Sequence, residues 1–265
     1  MRCAGIVTYN PDLERLRANL NNTASQVDAV FVFDNGSENV ADIRSLADSE
    51  YTTLRVEADP NNRGIAFALN RLLDAAKEHG FKHMLLLDQD SVPTEGMCDE
   101  LERHLTGSVA KHGAITSGSL VDVAAALEVG GFDDNLFIDY VDFDFNERLI
   151  LNGYEIVKDN TVYLLHEKGK SERTWLKVPR NTSAGVQWQP LYKLGYSPMR
   201  CYYQSRNRIV YWKKYHRHTG GEGLTEIPLL MALSLLFENH RIAKLRAYSR
   251  GIHDGMKMKI VEYRK

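Results

Sequence analysis

In the N-terminal third of the chain, short runs of apolar residues alternate with stretches whose apolar positions recur every three or four residues. Residues 4–8, 29–33, 53–56 and 83–87 read as strands, and 13–24, 43–46 and 64–78 as helices. In the last of these helices Ile65, Ala68, Leu69, Leu72, Leu73 and Ala76 fall on one stripe, and Gly80 stands where a left-handed residue would end it. Such alternation predicts an α/β domain, a Rossmann-like, mostly parallel sheet flanked by helices. Ligands of these sheets bind beyond the carboxyl ends of the strands. The polar clusters lie there: Thr8-Tyr9-Asn10, Asp34-Asn35-Gly36-Ser37, Asn61-Asn62-Arg63-Gly64 and Asp88-Gln89-Asp90.

The last cluster carries the most chemistry. In extended backbone, residues i and i+2 point the same way, so Asp88 and Asp90 would converge on one cation. Hard oxygen ligands left partly unfilled by protein suit Mg²⁺ or Mn²⁺ bridging to a phosphate. A solvated turn with two acids is the plainer reading. The Asp34 cluster reads as a turn, with Asn-Gly supplying positive φ, or as a base site in which Asp34 accepts from a pyrimidine N–H. Asn62-Arg63-Gly64 reads as a helix cap that also offers Arg63 and free backbone N–H groups to a diphosphate, and both can hold together.

Composition narrows the class. The 265 residues are 43% hydrophobic and 26% charged, enough for one large α/β domain or a domain with an appendage. A net charge of −2 gives no overall basic excess, so nucleic acid is not the expected partner. Cys3, Cys98 and Cys201 are far apart and odd in number, which argues against a disulfide framework and a zinc site. No leader pattern opens the sequence and no apolar stretch is long enough to span a bilayer, so a cytoplasmic location is expected.

Further along come Ile115-Thr116-Ser117-Gly118-Ser119-Leu120, Val129-Gly130-Gly131-Phe132-Asp133, Leu136-Phe137-Ile138-Asp139-Tyr140-Val141-Asp142, Arg148, Gly153-Tyr154, His166-x-x-Gly169, Tyr202-Tyr203 and Arg206-Asn207. Together with Val7-Thr8-Tyr9-Asn10, Asn62-x-Gly64-x-Ala66 and Leu87-Asp88-Gln89-Asp90-Ser91, these motifs resemble family 2 glycosyltransferases of the GT-A fold, and within them bacterial dTDP-rhamnosyltransferases. The likeness runs in order over residues 4–210.

The resemblance implies a metal-dependent, inverting transferase that moves L-rhamnose from dTDP-L-rhamnose to a polysaccharide or lipid-linked glycan of the cell envelope. It implies a donor site at Thr8, Tyr9, Asn10, Asp34, Asn62, Arg63, Gly64, Asp88 and Gln89, and Mg²⁺ or Mn²⁺ at Asp88 and Asp90. His166, after a strand-like stretch at 161–165, is a third metal ligand or a structural residue. Asp139 holds the position of the general base, which takes the acceptor proton opposite the leaving diphosphate, with apolar neighbours expected to raise its pKa modestly. Asp142, three residues on, is its rival, and the helix macrodipole is the plainer account of Asp142 and Asp144. Asp142, Arg206 and Asn207 are candidate acceptor or diphosphate contacts.

One departure stands out: residues 92–114 are shorter than in the relatives, which puts the acceptor side in question. A protein that binds a nucleotide sugar without transferring it, and a family 2 transferase with another donor, are the alternatives. Sugar-nucleotide pyrophosphorylases are excluded, because Thr8-Tyr9-Asn10-Pro11 is not a Gly-rich basic phosphate loop. Residues 1–205 are expected to form the catalytic domain, 175–203 to be loop-rich, and 206–265 to be a C-terminal helical extension. The apolar run 227–237 followed by Arg241, Lys244, Arg246, Arg250, Lys257 and Lys259 reads either as a tail resting peripherally on the inner face of the membrane or as helices packed on the domain or a second subunit of a homo-oligomer.

Overall fold

The computed structural model describes all residues except 106–108, 114, 159–160, 166–171, 183–184, 222 and 261–265, and only the backbone of residues 109, 110 and 180. It divides into two compact units, Met1–Glu167 and Lys168–Lys265. Residue 206, where the extension was expected to begin, lies inside a continuous helix of the second unit.

The first unit begins β1 (Arg2–Thr8), α1 (Leu13–Ala24), β2 (Ala29–Asn35), α2 (Val40–Glu50), β3 (Leu54–Asp59), α3 (Ile65–Glu78) and β4 (His83–Asp88). It continues through β5 (Val92–Pro93), α4 (Met97–His104), β6 (Val109–His112), β7 (Ser119–Asp122), α5 (Val123–Glu128), a 3₁₀ turn at Asp134–Leu136, α6 (Val141–Leu151), β8 (Glu155–Val157) and β9 (Leu164–Leu165). Seven strands form one sheet in the order β3-β2-β1-β4-β7-β6-β8. The first four are parallel, β7 runs antiparallel to both β4 and β6, and β6 is parallel to β8. This is the expected α/β architecture. Within the stretch 92–114 lie β5, which pairs with β9, α4, and β6, which joins the seven-stranded sheet between β7 and β8.

Strand residues alternate between two helical layers. Ala4, Ile6, Val30, Val32, Leu85 and Leu87 pack with Leu16 and Leu20 of α1, Ile43 of α2 and Leu101 of α4. On α3 the predicted stripe is buried except for the partly exposed Ile65, with Ala66 buried beside it, and Phe67 lies edge-on to Phe33 of β2. Each fully buried Leu contributes about 1.5–3 kcal/mol. The register sets Thr8 beside Asp34, Val7 beside Asp88 and Asn35 beside Asp59, which lines the polar strand ends along one edge.

The second unit contains β10 (Glu172–Thr182), β11 (Gly185–Lys193), α7 (Pro198–Thr219), α8 (Glu226–Phe237) and α9 (Arg241–Lys257). The expected loop at 175–203 is instead an antiparallel hairpin followed by the start of α7. Five of the nine β11 residues are exposed, four of them in succession, which erased the period-two signal that a half-buried strand carries. Ser197 caps α7 by accepting from the Arg200 N–H at 3.2 Å, with Pro198 in the first turn. Helix α9 lies along α7, and Leu230 of α8 joins Cys201, Ala247 and Tyr248 in a small core. The formal charges separate with the units: residues 168–265 hold 20 Lys and Arg against 6 Asp and Glu, net +14, whereas residues 1–167 hold 13 against 29, net −16.

Candidate active site

Asp34 is the penultimate residue of β2 and is 1% exposed. Its carboxylate accepts from the Thr8 hydroxyl at 2.9 Å, the Ser37 N–H at 2.9 Å and the Ser37 hydroxyl at 2.5 Å. Three of roughly four acceptor sites are thus used by the loop itself, leaving about one for a ligand donor. The same Ser37 hydroxyl accepts from the Asn10 N–H at 2.7 Å, and Asn10 Oδ1 accepts from the Glu38 N–H at 2.8 Å. The β1 and β2 loops therefore form one structure, with Tyr9 49% exposed above the buried Thr8.

Asn35, which the sequence reading took only as part of the Asn-Gly turn, connects this pair to the third loop. Its side chain donates to Asn62 Oδ1 at 3.0 Å and to the Gly64 carbonyl at 3.2 Å, and accepts from the Arg63 N–H at 2.9 Å. The Gly64 N–H is bonded to Asn62 Oδ1 at 3.0 Å and the Ile65 N–H to the Phe137 carbonyl at 2.6 Å. Three of the N–H groups at this helix start, those of Arg63, Gly64 and Ile65, are thus already paired, and Gly64 stands at φ +91°. The side chain here that offers an anion positive charge is the Arg63 guanidinium. It stacks on Phe67 at 4.4 Å, lies 3.6 Å from Asp59 and is half exposed.

Gly36 and Gly64 make these loops fit. A Cβ on Gly36 would stand 2.8 Å from the Asn62 nitrogen, and one on Gly64 would stand 2.6 Å from the Phe137 carbonyl oxygen. The third loop therefore sits between the second loop and the segment that leads into Asp139.

Asp88 is the last residue of β4, and Gln89 and Asp90 follow in a turn closed by the Ser91 N–H on the Asp88 carbonyl at 3.1 Å. The extended alternation expected to align the two acids ends at Asp88, so the turn, not the pleat, sets Asp90. Both acids are half-buried. The Asp88 backbone is held by Ser117 Oγ on its N–H and Asn19 Nδ2 on its carbonyl, each at 2.9 Å. Gln89 Oε1 accepts from the Tyr9 N–H at 2.7 Å, which ties this turn to the first loop. Among the described residues no group of three or more His, Cys, Asp and Glu is placed to hold a metal. His166, the expected third ligand, lies outside the described residues, and the strand before it is only Leu164–Leu165.

The Asp139 segment is strained. Asp139 and Tyr140 have φ of +64° and +66°, consecutive left-handed residues, and for a bulky Tyr that is uncommon. Each such residue costs on the order of 1–3 kcal/mol and persists only where its surroundings dictate it. Tyr140 is 9% exposed and stacks on Phe143 at 5.0 Å. Upstream, Asn70 of α3 pairs with the Phe132 backbone in both directions, at 2.8 and 2.7 Å, and reaches Asp134 at 2.7 Å. Downstream, Arg148 meets Asp144 at 2.9 Å and the Val129 carbonyl at 2.6 Å, all buried, so Asp144 is a structural partner of α6.

Beneath α6 lies Lys111 of β6, 1% exposed, with its ammonium on Asn146 Oδ1 at 2.8 Å and 5.8 Å from the Phe145 ring centre. Burial lowers this ammonium to about 8, against the attraction of Asp142. Burial in turn raises the Asp142 carboxyl above the ordinary carboxylate range; Lys111 pulls it down and Asp139 adds to the rise. A carboxyl raised on folding supports stability below its unfolded pKa and loses that support as pH climbs through the folded value. Asp142→Asn should therefore melt higher than the parent at pH near 7, with the gap closing toward about pH 4. A thermal melt across that range checks this, and a variant less stable at neutral pH would refute it. A lysine in a short polar strand carries no sequence signal of burial, which is why Lys111 went unnoticed. Arg206 and Asn207 lie on α7 in the other unit, Arg206 over the Tyr203 ring at 4.7 Å and Asn207 fully buried.

Residues 3–110 match the family model described as Glycosyl transferase family 2. The dTDP-rhamnosyl transferase RfbF of Shigella flexneri is 26% identical over 270 aligned residues, spanning 87% of this chain and 82% of that protein. Among solved structures, the mannosyltransferase PcManGT from Pyrobaculum calidifontis, in complex with GDP-Man and Mn²⁺, aligns with a TM-score of 0.59 at 16% identity over 98% of this chain and 76% of that one. TarS 1–349 of S. aureus, in complex with UDP-GlcNAc, aligns with a TM-score of 0.51 at 14% identity over 97% and 80%. At these identities the two structures speak to the fold alone, which is GT-A. The family match and the curated relative support glycosyl transfer as the activity. Residues 3–110 thus match the glycosyl transferase family 2 model and, along most of its length, the chain is similar to a dTDP-rhamnosyltransferase.

Proposed function

We propose that this protein is an inverting glycosyltransferase that moves L-rhamnose from dTDP-L-rhamnose to a hydroxyl of a glycan or lipid-linked acceptor. The observation that carries the reading is the bonded continuity of the strand-end loops, from Gln89 through Asn10, Ser37 and Asn35 to Gly64 and the backbone just before Asp139. That continuity supports reading these loops and the strained acid as one site. Thr8, Tyr9, Asn10, Asp34 and Asn62 would enclose the nucleoside, and Arg63 would meet the diphosphate by charge.

Asp88 and Asp90 fit Mg²⁺ or Mn²⁺, because such ions are commonly held by one or two carboxylates and complete their shell with water and substrate phosphates. A bound ion would offset charge on the departing diphosphate. Asp139 is assigned as the base that removes the acceptor proton. The burial-raised carboxyl of Asp142 favours a second reading in which Asp142 is the base, since a base works best with its pKa nearer the operating pH. In either case Lys111 acts as a positioning residue beneath α6. Exposed Leu229, Leu235 and Leu236 of α8 beside the cationic α9 support a peripheral contact with an anionic membrane. No described helix is long and apolar enough to cross one.

Calorimetric titration of dTDP-L-rhamnose, UDP-glucose and GDP-mannose, with and without Mn²⁺, tests the donor. The dTDP sugar should bind best and only with metal, and Asp88→Asn with Asp90→Asn should weaken that binding about tenfold or more. Metal-independent binding in both proteins would remove the assigned role of the two acids. Binding of the dTDP sugar with no transfer to any acceptor would favour a binding protein.

A further inference from the structure

We propose that the groove between α7 and α9 is a phosphate-binding site. It encloses about 530 Å³ and is lined by Pro198, Met199, Tyr202, Tyr203, Arg246 and Arg250 among others. Arg246 and Arg250 are exposed and four residues apart, hence on one face of α9. The Arg250 guanidinium lies over the Tyr202 ring at 4.8 Å, and that of Arg206 over Tyr203 at 4.7 Å and Tyr202 at 5.7 Å. A ring beneath a guanidinium restrains its plane, and the planar fork matches phosphate oxygens bidentately. One nearby carboxylate, Asp254, accepts from the Tyr202 hydroxyl at 3.0 Å.

The walls are fixed. Ser205 Oγ donates to the Tyr248 carbonyl at 2.9 Å, and Lys213 donates to the Gly255 and Met256 carbonyls at 3.1 and 2.9 Å. Gly251 and Gly255 bring α9 so close that a Cβ on either would strike the α7 backbone. The unit's net charge of +14 adds a long-range field that draws anions to this groove. Pro198 and the exposed Met199 give it an apolar side, suited to a ligand with a hydrocarbon or ring body next to its phosphate. Two sources share that chemistry, a lipid headgroup and a soluble phosphate ester. None of the residues lining this groove belongs to the proposed donor loops, and Arg206, which shares the Tyr202 and Tyr203 rings, is the one neighbour that the sequence also offered as a diphosphate or acceptor contact.

The test uses the full chain and its Arg246→Gln/Arg250→Gln variant, whose changes fall on exposed side chains; Arg246→Lys/Arg250→Lys keeps charge but not the fork. Inorganic pyrophosphate is titrated calorimetrically. Co-sedimentation uses phosphatidylcholine vesicles with and without phosphatidic acid. The parent should bind at least one probe, and the Gln variant should bind it on the order of 10–30-fold more weakly, the Lys variant falling between. Loss confined to phosphatidic acid vesicles assigns a lipid headgroup, and loss of pyrophosphate binding assigns a soluble phosphate. Equal binding by parent and Gln variant, binding of neither probe by the parent, or preferential binding of single-stranded DNA that the Gln variant retains would each overturn the proposal.

Discussion

Asp139→Asn is expected to bind the nucleotide-sugar donor within about twofold of the parent and to transfer about 10²–10⁴ times more slowly, the range ascribed to a positioned acid or base. The substitution keeps the shape of the side chain and its tolerance of a left-handed backbone, so the strained turn at Asp139 and Tyr140 survives. Calorimetry for donor affinity and single-turnover assays for transfer separate the two effects. Asp142→Asn belongs in the same experiment. A larger loss of transfer there than in Asp139→Asn would give the base to Asp142, and equal loss of donor binding in both would leave neither acid with that role.

Gly64→Ala should be damaging in a different way. Its Cβ would stand 2.6 Å from the Phe137 carbonyl oxygen and 2.7 Å from the Phe137 Cα, at a backbone conformation (φ +91°, ψ 164°) that is essentially reserved for glycine. The conformation alone costs about 1–3 kcal/mol, and displacing the segment before Asp139 by about 1 Å is expected to reduce kcat/KM on the order of 10²-fold. Gly80→Ala is the matched control. It too has positive φ, +75°, but nothing lies within 4 Å of the added atom, so it should cost stability and leave transfer intact. Thermal melts and kcat/KM for both variants decide the matter; comparable kinetic losses would mean that the Gly64 contact with Phe137 has no special place in the site.

The parallel half of the sheet was legible because β1 and β4 are apolar runs bounded by polar turns, and α3 carries a strict 3.6-residue stripe. The strand-end clusters were legible for the same reason. Pairing order beyond β4 was not, since β6 and β7 are four residues each and join the sheet through distant partners, β7 antiparallel to β4 and β6 parallel to β8. Composition could place Asn62-Arg63-Gly64 at a helix start, yet it could not show that the three N–H groups there are taken by Asn35, Asn62 and Phe137. Asn70 and Lys111 stayed hidden because a polar residue within an element reads as solvent-facing until its neighbours across the fold are known.

The separation of charge between the two units has a kinetic consequence. A net charge of −2 results from the near cancellation of two large opposite charges, and screening over about 10 Å at moderate salt makes a solute at a surface respond chiefly to the charges around it. An anionic sugar nucleotide approaching residues 1–167 is slowed by repulsion that added salt relieves. An anion approaching residues 168–265 is hastened by attraction that the same salt weakens. Ionic strength therefore pushes encounter rates at the two units in opposite directions, and a rate measured at one salt concentration describes only that balance.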